Sequence, residues 1–270
     1  ELPVSERQAQ EILGGRLADF LLSEKDVSDE NFLANFDAVL ASKLPDAFRR
    51  KYLRRSWRFS SPRPLIGACF PGVEFTPERG IQNRRFLDLI CFNSASDMEV
   101  YRRIVPEADR RNQSAIKYSP LLLRRADRMK TGPIRKVYFF AQAIVPETLA
   151  GRIDMLRLVN ECAVRHPDKA FVVKLRHLRG ENANHVHREA FSYEWLVERG
   201  MVGPLAPNIA FSAASMRECL EDADYALTCS STAALEALAH GVPAGFYLDY
   251  EGPDRLKEPA RSALAGSGLI

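Results

Sequence analysis

The hydroxyls of Ser230, Ser231 and Thr232 stand side by side. They follow a short apolar run, residues 225–229 (YALTC), and precede a run of strong helix formers, residues 233–240. A hydroxyl-rich turn between a strand and a helix offers N–H groups and hydroxyls at the positive end of the helix, which suits a phosphate. The same three residues also suit an ordinary N-cap. Lys174 closes another apolar run, residues 170–174 (AFVVK), and Arg176 follows two residues later. Two cations at the carboxyl end of a strand face the crevice where open α/β sheets hold ligands, and they can neutralise phosphate charge. Their plainer reading is the start of a solvated loop. Gln142 follows a third run, residues 137–141 (VYFFA), so it belongs at the same sheet edge. His185 and His187, with Glu181 and Glu189 nearby, do not make a metal site, because alternating histidines in a loop lack further ligands. No metal is expected.

These groups need elements to hold them. The second half of the chain alternates apolar runs with helical patterns, the rhythm of a parallel sheet. Strands are expected at 137–141, 170–174, 208–211, 225–229 and 244–248, and helices at 147–165, 193–199, 215–223 and from about 232 to His240. The long helix carries Ile153, Leu156, Val159 and Ala163 on one face. Gly241-Val242-Pro243 is a helix stop. Residues 175–190 form a long polar loop, and such loops in compact domains are often functional. After Asp249 the chain is polar, and no helix that returns to the first domain is evident.

The first half is less regular. Residues 6–22 and 32–44 read as helices, with a capping signal at Ser28, and no strand opens this half. Strands are expected at 64–70 and 86–93, a loop or short helix at 73–85, and a helix capped by Ser94 running to about Val105. Residues 110–131 read as a polar, basic segment broken by Gly132-Pro133. The boundary between two domains is placed near Lys130, giving 1–130 and 131–270. The missing opening strand and closing helix suggest that parts of the fold lie outside these residues.

Composition excludes several classes. The chain has 270 residues, 46% apolar and 27% charged, which suits two globular domains. No apolar run approaches the ~20 residues of a membrane span, and no signal peptide is visible at residues 1–5. A net charge of +3 is too weak to imply nucleic acid as partner. Basic clusters at residues 48–58 (FRRKYLRRSWR), at Arg124 and Arg125, and at 128–130 suit peripheral contact with an anionic membrane surface or an acidic glycan, or plain solvation. Five cysteines without a CxxC spacing form a reduced pattern, so a cytoplasmic protein is expected.

Residues 230–244 (SSTAALEALAHGVPA) resemble the donor-nucleotide segment of GT-B glycosyltransferases, above all bacterial capsule and surface-polysaccharide types with a Ser-Ser/Thr turn. Many of those read (S/T)-S-(S/T)-x-x-x-E-A-x-x-x-G-x-P. The resemblance covers residues 134–250 well and the first half loosely. It implies an α/β, GT-B-like protein of two Rossmann-like domains with a nucleotide cleft between them. It further implies a nucleotide-sugar as co-substrate with no other cofactor, and a glycan or glycolipid acceptor.

Glu236 takes the position whose carboxylate accepts hydrogen bonds from the donor ribose. Residues 172–177 (VVKLRH) resemble the V-K-x-H-P segment of enzymes that transfer Kdo and sialic acid, but Leu178 replaces the proline, which counts against a CMP-sugar. Thr228 stands where retaining members carry a first glutamate, which favours the Ser-Ser type. An inverting reaction needs a group to take the acceptor proton. Glu74 is the first choice by position, and Asp97 and Glu78 are alternatives. Three other functions stay open: a CDP-polyol phosphotransferase of teichoic-acid type, an inactive GT-B-like binding or scaffold protein, and a nucleotide-sugar 2-epimerase, whose usual histidine and acidic set is not evident.

Overall fold

A computed structural model describes residues 7, 10, 14, 16, 25–26, 29–41, 63–70, 72, 74–117, 126–178, 181, 188–253, 255, 257–265 and 267–270. The helix expected at 6–22 falls largely outside them. So do the basic cluster at 48–58, Arg124, Arg125, His185 and His187.

The chain forms two compact units: residues 18–123, and residues 124–270 together with 1–17. The sequence reading placed the first residues with the N-terminal domain. Arg7 instead pairs with Glu181 at 2.7 Å and donates to the Ala213 carbonyl, both in the second unit.

The first unit holds a parallel sheet in the order β1 (Ala38–Ala41), β2 (Leu65–Cys69), β3 (Leu89–Phe92), β4 (Ser114–Lys117). Two of these strands correct the sequence reading. Residues 32–44 were expected to be helical, but helix α1 covers only Glu30–Leu33 and β1 follows. The segment 110–131 was read only as polar and basic, yet β4 lies in it. Both are four-residue edge strands with largely exposed faces, too short for periodicity to separate from helix or loop. Pairing with β2 and β3 decides them. Among the described residues, helices α2 (Glu78–Gln82), α3 (Ala95–Ile104) and α4 (Glu107–Arg110) also belong to this unit. Phe70, Ile81, Ile90, Phe92 and Tyr101 form one core on the sheet, and Leu33, Ile66, Ala68 and Leu87 another.

The second unit holds five parallel strands in the order β7 (Ile209–Ser212), β6 (Ala170–Lys174), β5 (Lys136–Phe140), β8 (Tyr225–Thr228), β9 (Ala244–Phe246). Alternation sends successive side chains of these strands to opposite faces. Phe139, Phe171 and Val173 meet α5 (Leu149–Arg165) and α6 (Tyr193–Glu198) on one face. Tyr138, Phe140, Val172 and Phe246 meet α7 (Met216–Asp222) and α8 (Ala233–Ala239) on the other. Ala233, Ala234 and Ala237 are the buried face of α8, and their small side chains let the helix lie close against the sheet. Gly241 stops α8 with φ +76, and a Cβ there would come within 2.5 Å of the Arg128 carbonyl oxygen.

The polar tail holds a helix to which the sequence reading gave no place, α9 (Lys257–Leu264). Leu264 and Leu269 pack on the core beneath α8, so the tail is ordered by tertiary contact. No helix among the described residues is long and apolar enough to cross a membrane.

Candidate functional site

Parallel register brings the predicted donor-side residues to one edge of the second sheet. Phe140 pairs with Lys174, Lys174 with Ser212, Phe139 with Leu227 and Thr228 with Phe246, so the segments that follow these strands leave together. Gln142, Lys174, Arg176 and Ser230 to Thr232 all lie on that edge.

Gln142 and Ser230 are joined directly. The Ser230 N–H donates to Gln142 Oε1 at 2.8 Å, and Gln142 Nε2 donates to Ser230 Oγ at 3.3 Å. Ser230 is buried, and Thr228 below it donates its hydroxyl to the Phe140 carbonyl at 2.9 Å. This corrects the expectation that all three turn residues offer open N–H groups and cap the helix. Ser230 is spent on Gln142. Thr232 is the residue before α8 and makes no side-chain cap bond, while Ser231 Oγ accepts the Ala233 N–H at 3.2 Å. Among the described residues, the N–H groups of Ser231 and Thr232 donate to no protein acceptor.

Lys174 is half-buried at the end of β6, and its Nζ donates to the Leu175 carbonyl at 2.8 Å. Arg176 is exposed two residues further on. Glu236 lies in the first turn of α8 and is half-buried. Burial raises its pKa, and His240, one turn on, opposes the shift. His240 Nδ1 lies 2.9 Å from the Glu236 carbonyl oxygen, and among the described residues the Glu236 carboxylate has no ion pair.

Glu74 and Asp97 belong to the first unit, beyond the carboxyl ends of β2 and β3, which are neighbours in the parallel sheet. Asp97 is 7% exposed and has a structural task. With Ser94 it forms the capping box of α3: Ser94 Oγ accepts the Asp97 N–H at 3.0 Å, and Asp97 Oδ2 accepts the Ser94 N–H at 3.1 Å. Burial raises its pKa against these hydrogen bonds. Glu74 reaches the surface, yet loss of hydration raises its pKa too; Arg84 opposes the shift and Asp97 adds to it.

One group that sequence reading missed supports the edge from below. Arg152, 1% exposed, lies on the buried face of α5 one turn before Met155 and Leu156. Its Nε donates to the Pro146 carbonyl at 3.0 Å and its Nη2 to the Gln142 carbonyl at 2.9 Å and to the Ala143 carbonyl. Its Nη1 meets Glu189 Oε1 at 2.6 Å, and His177 Nε2 lies 3.6 Å from the other carboxylate oxygen. Burial raises the pKa of Glu189, with Arg152 opposing. A charged residue in phase with an apolar helix face was the available signal. Among the described residues, no three His, Cys, Asp or Glu side chains group as metal ligands.

Comparison with known proteins bears on the fold. The chain is similar to several solved structures. MnaA of S. aureus in complex with UDP aligns with a TM-score of 0.60 at 10% identity, over 98% of this chain and 79% of that one. The UDP-GlcNAc 2-epimerase of Neisseria meningitidis bound to UDP-GlcNAc aligns at 0.57 and 14% identity, over 95% and 75%. A protein from Listeria monocytogenes described as a "putative UDP-N-acetylglucosamine 2-epimerase" aligns at 0.58 and 13% identity, over 96% and 75%. At such identities the likeness concerns the fold, which is α/β and GT-B-like. No curated protein matches the sequence. A family model does match, over residues 1–269: the chain belongs to the family described as "Putative glycosyltransferase (DUF6716)".

Proposed function

We propose that the protein transfers a sugar from a nucleotide-sugar donor to a surface glycan or glycolipid acceptor, and that the donor binds at the carboxyl edge of the second sheet. The observation that carries this reading is the Gln142–Ser230 pair. It fixes a turn in which the N–H groups of Ser231 and Thr232 are left for a ligand. In an open parallel sheet this is the edge where ligands bind. Lys174 and Arg176, at the end of the adjacent strand, supply positive charge for the donor phosphates in the role a metal ion plays elsewhere. Glu236, without an ion pair among the described residues, accepts hydrogen bonds from the ribose hydroxyls.

The reaction forms a bond between the acceptor oxygen and the anomeric carbon, and breaks the bond from that carbon to the phosphate oxygen. The nucleotide leaves with the electron pair. Glu74 is the group proposed to take the acceptor proton, and its raised pKa suits a general base. Asp97 is retained by its capping box and is the weaker choice. The reading includes a cytoplasmic protein whose basic sequence clusters favour peripheral contact with an anionic membrane surface.

The test is a thermal-shift and titration screen of the intact chain against UDP, CDP, GDP and CMP. Uridine comes first, because the S. aureus and N. meningitidis proteins of this fold were solved with UDP and UDP-GlcNAc. A ligand at ~100 times its Kd adds ~2.7 kcal/mol to stability. Failure of every nucleotide to shift the transition would remove the donor site. Nucleotide-sugar turnover to a 2-epimer, with no transfer to any acceptor, would replace transfer by epimerisation.

A further inference from the structure

A pocket of about 360 Å³ opens along the segment that follows Gln142. Its lining includes residues 143–145, Glu147, Arg152, Arg188 and Arg255. The segments that supply it follow β5, β6 and β9, so it lies on the same sheet edge as the proposed donor site. Arg152 links the two directly, since it lines the pocket and donates to the Gln142 carbonyl at 2.9 Å.

The charges in this pocket do not balance locally. Arg152 is compensated by Glu189 at 2.6 Å. Arg188 and Arg255 are exposed, and among the described residues neither has a hydrogen bond or an ion pair. Glu147 is the one carboxylate in the lining, set against two open guanidinium groups. A guanidinium presents a planar fork that matches a carboxylate or a phosphate. Small-molecule pockets span roughly 300–1,000 Å³, and this one lies near the lower bound, which suits a single sugar ring better than a whole nucleotide-sugar.

We propose that this pocket is a subsite for a sugar-sized ligand bearing a carboxylate or phosphate, held by Arg188 and Arg255. This rests on the donor reading above and narrows it: the acidic group sits on the transferred sugar, as in a uronic acid, or on the acceptor. Both sources share the same recognition chemistry, and the experiment separates them.

Three arms decide the proposal on the intact chain. In the first, UDP-glucuronate and UDP-glucose are titrated calorimetrically; they differ only in a carboxylate against a hydroxymethyl group. An acidic donor sugar predicts at least tenfold tighter binding of UDP-glucuronate. In the second, the same pair is titrated into the Arg188→Ala/Arg255→Ala double variant. The preference should vanish while UDP affinity stays within about twofold, and because both side chains are exposed the melting temperature should not move. In the third, free glucuronate and inorganic phosphate are followed by ligand-observed NMR, with and without saturating UDP. An acidic acceptor predicts that glucuronate binds alongside UDP and that the double variant abolishes this. Equal affinities in the first arm together with no binding of either free acid would overturn the proposal, as would an acid preference that survives both substitutions. If no uridine nucleotide binds, the uridine donor assignment fails separately, and the free-acid arm alone decides the pocket.

Discussion

Gln142 and Ser230, 88 residues apart in the chain, hold each other through two hydrogen bonds of 2.8 and 3.3 Å. Each is positioned by a neighbouring strand, β5 for Gln142 and β8 for Ser230, and the parallel pairing of β5 with β8 brings them within reach. The consequence is a turn held firmly at the carboxyl edge of the sheet. A first prediction follows. Gln142→Ala leaves the buried Ser230 N–H without its acceptor, and an unsatisfied buried group costs about 1–3 kcal/mol. Urea denaturation should show that loss, and nucleotide affinity should fall with it. A variant with unchanged stability would mean that the pair contributes nothing to the turn.

Ser231→Asp separates binding from folding. Aspartate can still accept the Ala233 N–H that Ser231 Oγ accepts now at 3.2 Å, so the melting temperature should hold. The added negative charge opposes a donor phosphate, and nucleotide affinity should drop at least tenfold, about 1.4 kcal/mol. Equal affinity in the two proteins would move the phosphate elsewhere.

Glu236 predicts a pH dependence of known sign. Its folded pKa is raised above the ordinary glutamate value of 4.5 by burial. A carboxyl with a raised folded pKa contributes stability that is present below the unfolded value and lost as pH climbs through the folded one. Glu236→Gln should therefore remove a decline in stability just above pH 4.5 and leave the variant at least as stable as wild type at pH 7. It should also bind nucleotide more weakly, since an amide is a poorer acceptor for two ribose hydroxyls. Stability curves at a series of pH values, read beside nucleotide titrations, check both halves.

Arg152 and Glu189 predict a strong non-additivity. Removing one partner of a buried ion pair costs about 3–5 kcal/mol, because the other charge is left uncompensated. Arg152→Met should destabilise the protein by that order and loosen the loop after β5, whose carbonyls at Gln142, Ala143 and Pro146 it holds. Arg152→Met combined with Glu189→Leu should recover part of the stability but not the nucleotide affinity. Full recovery of binding in the double variant would show that the loop needs no anchor.

Glu74 and Asp97 are told apart by kinetics. Glu74→Gln should lower the transfer rate by about 10²–10⁴ while leaving the donor KM unchanged, as expected for loss of a general base. Asp97→Asn should instead lower stability through the capping box of α3, by about 1 kcal/mol. Glu74→Gln with full activity would remove it from the proposed role.

The strands of the second sheet were legible in the sequence because they are short apolar runs flanked by clear stops, and the central ones are largely buried. Residues 136–140 and 170–174 are apolar along nearly their whole length, and Gly241 with Pro243 ends α8 unambiguously. The candidate residues could be placed on one sheet edge for the same reason: in a parallel sheet every strand presents its carboxyl end to one side. The rest depended on contacts between distant parts of the chain. Ala38–Ala41 and Ser114–Lys117 are strands because β2 and β3 pair with them, and four half-exposed residues carry too little pattern to show it. Lys257–Leu264 is a helix whose polar sequence is ordered by Leu264 against the core. Ser230 reads as a cap in sequence and becomes the partner of Gln142 in space, and Arg152, to which the sequence reading gave no role, becomes the anchor of the loop after β5. Local pattern determines elements and the edge they share, whereas the pairing of particular polar groups is decided when folding removes water and each buried donor must find an acceptor.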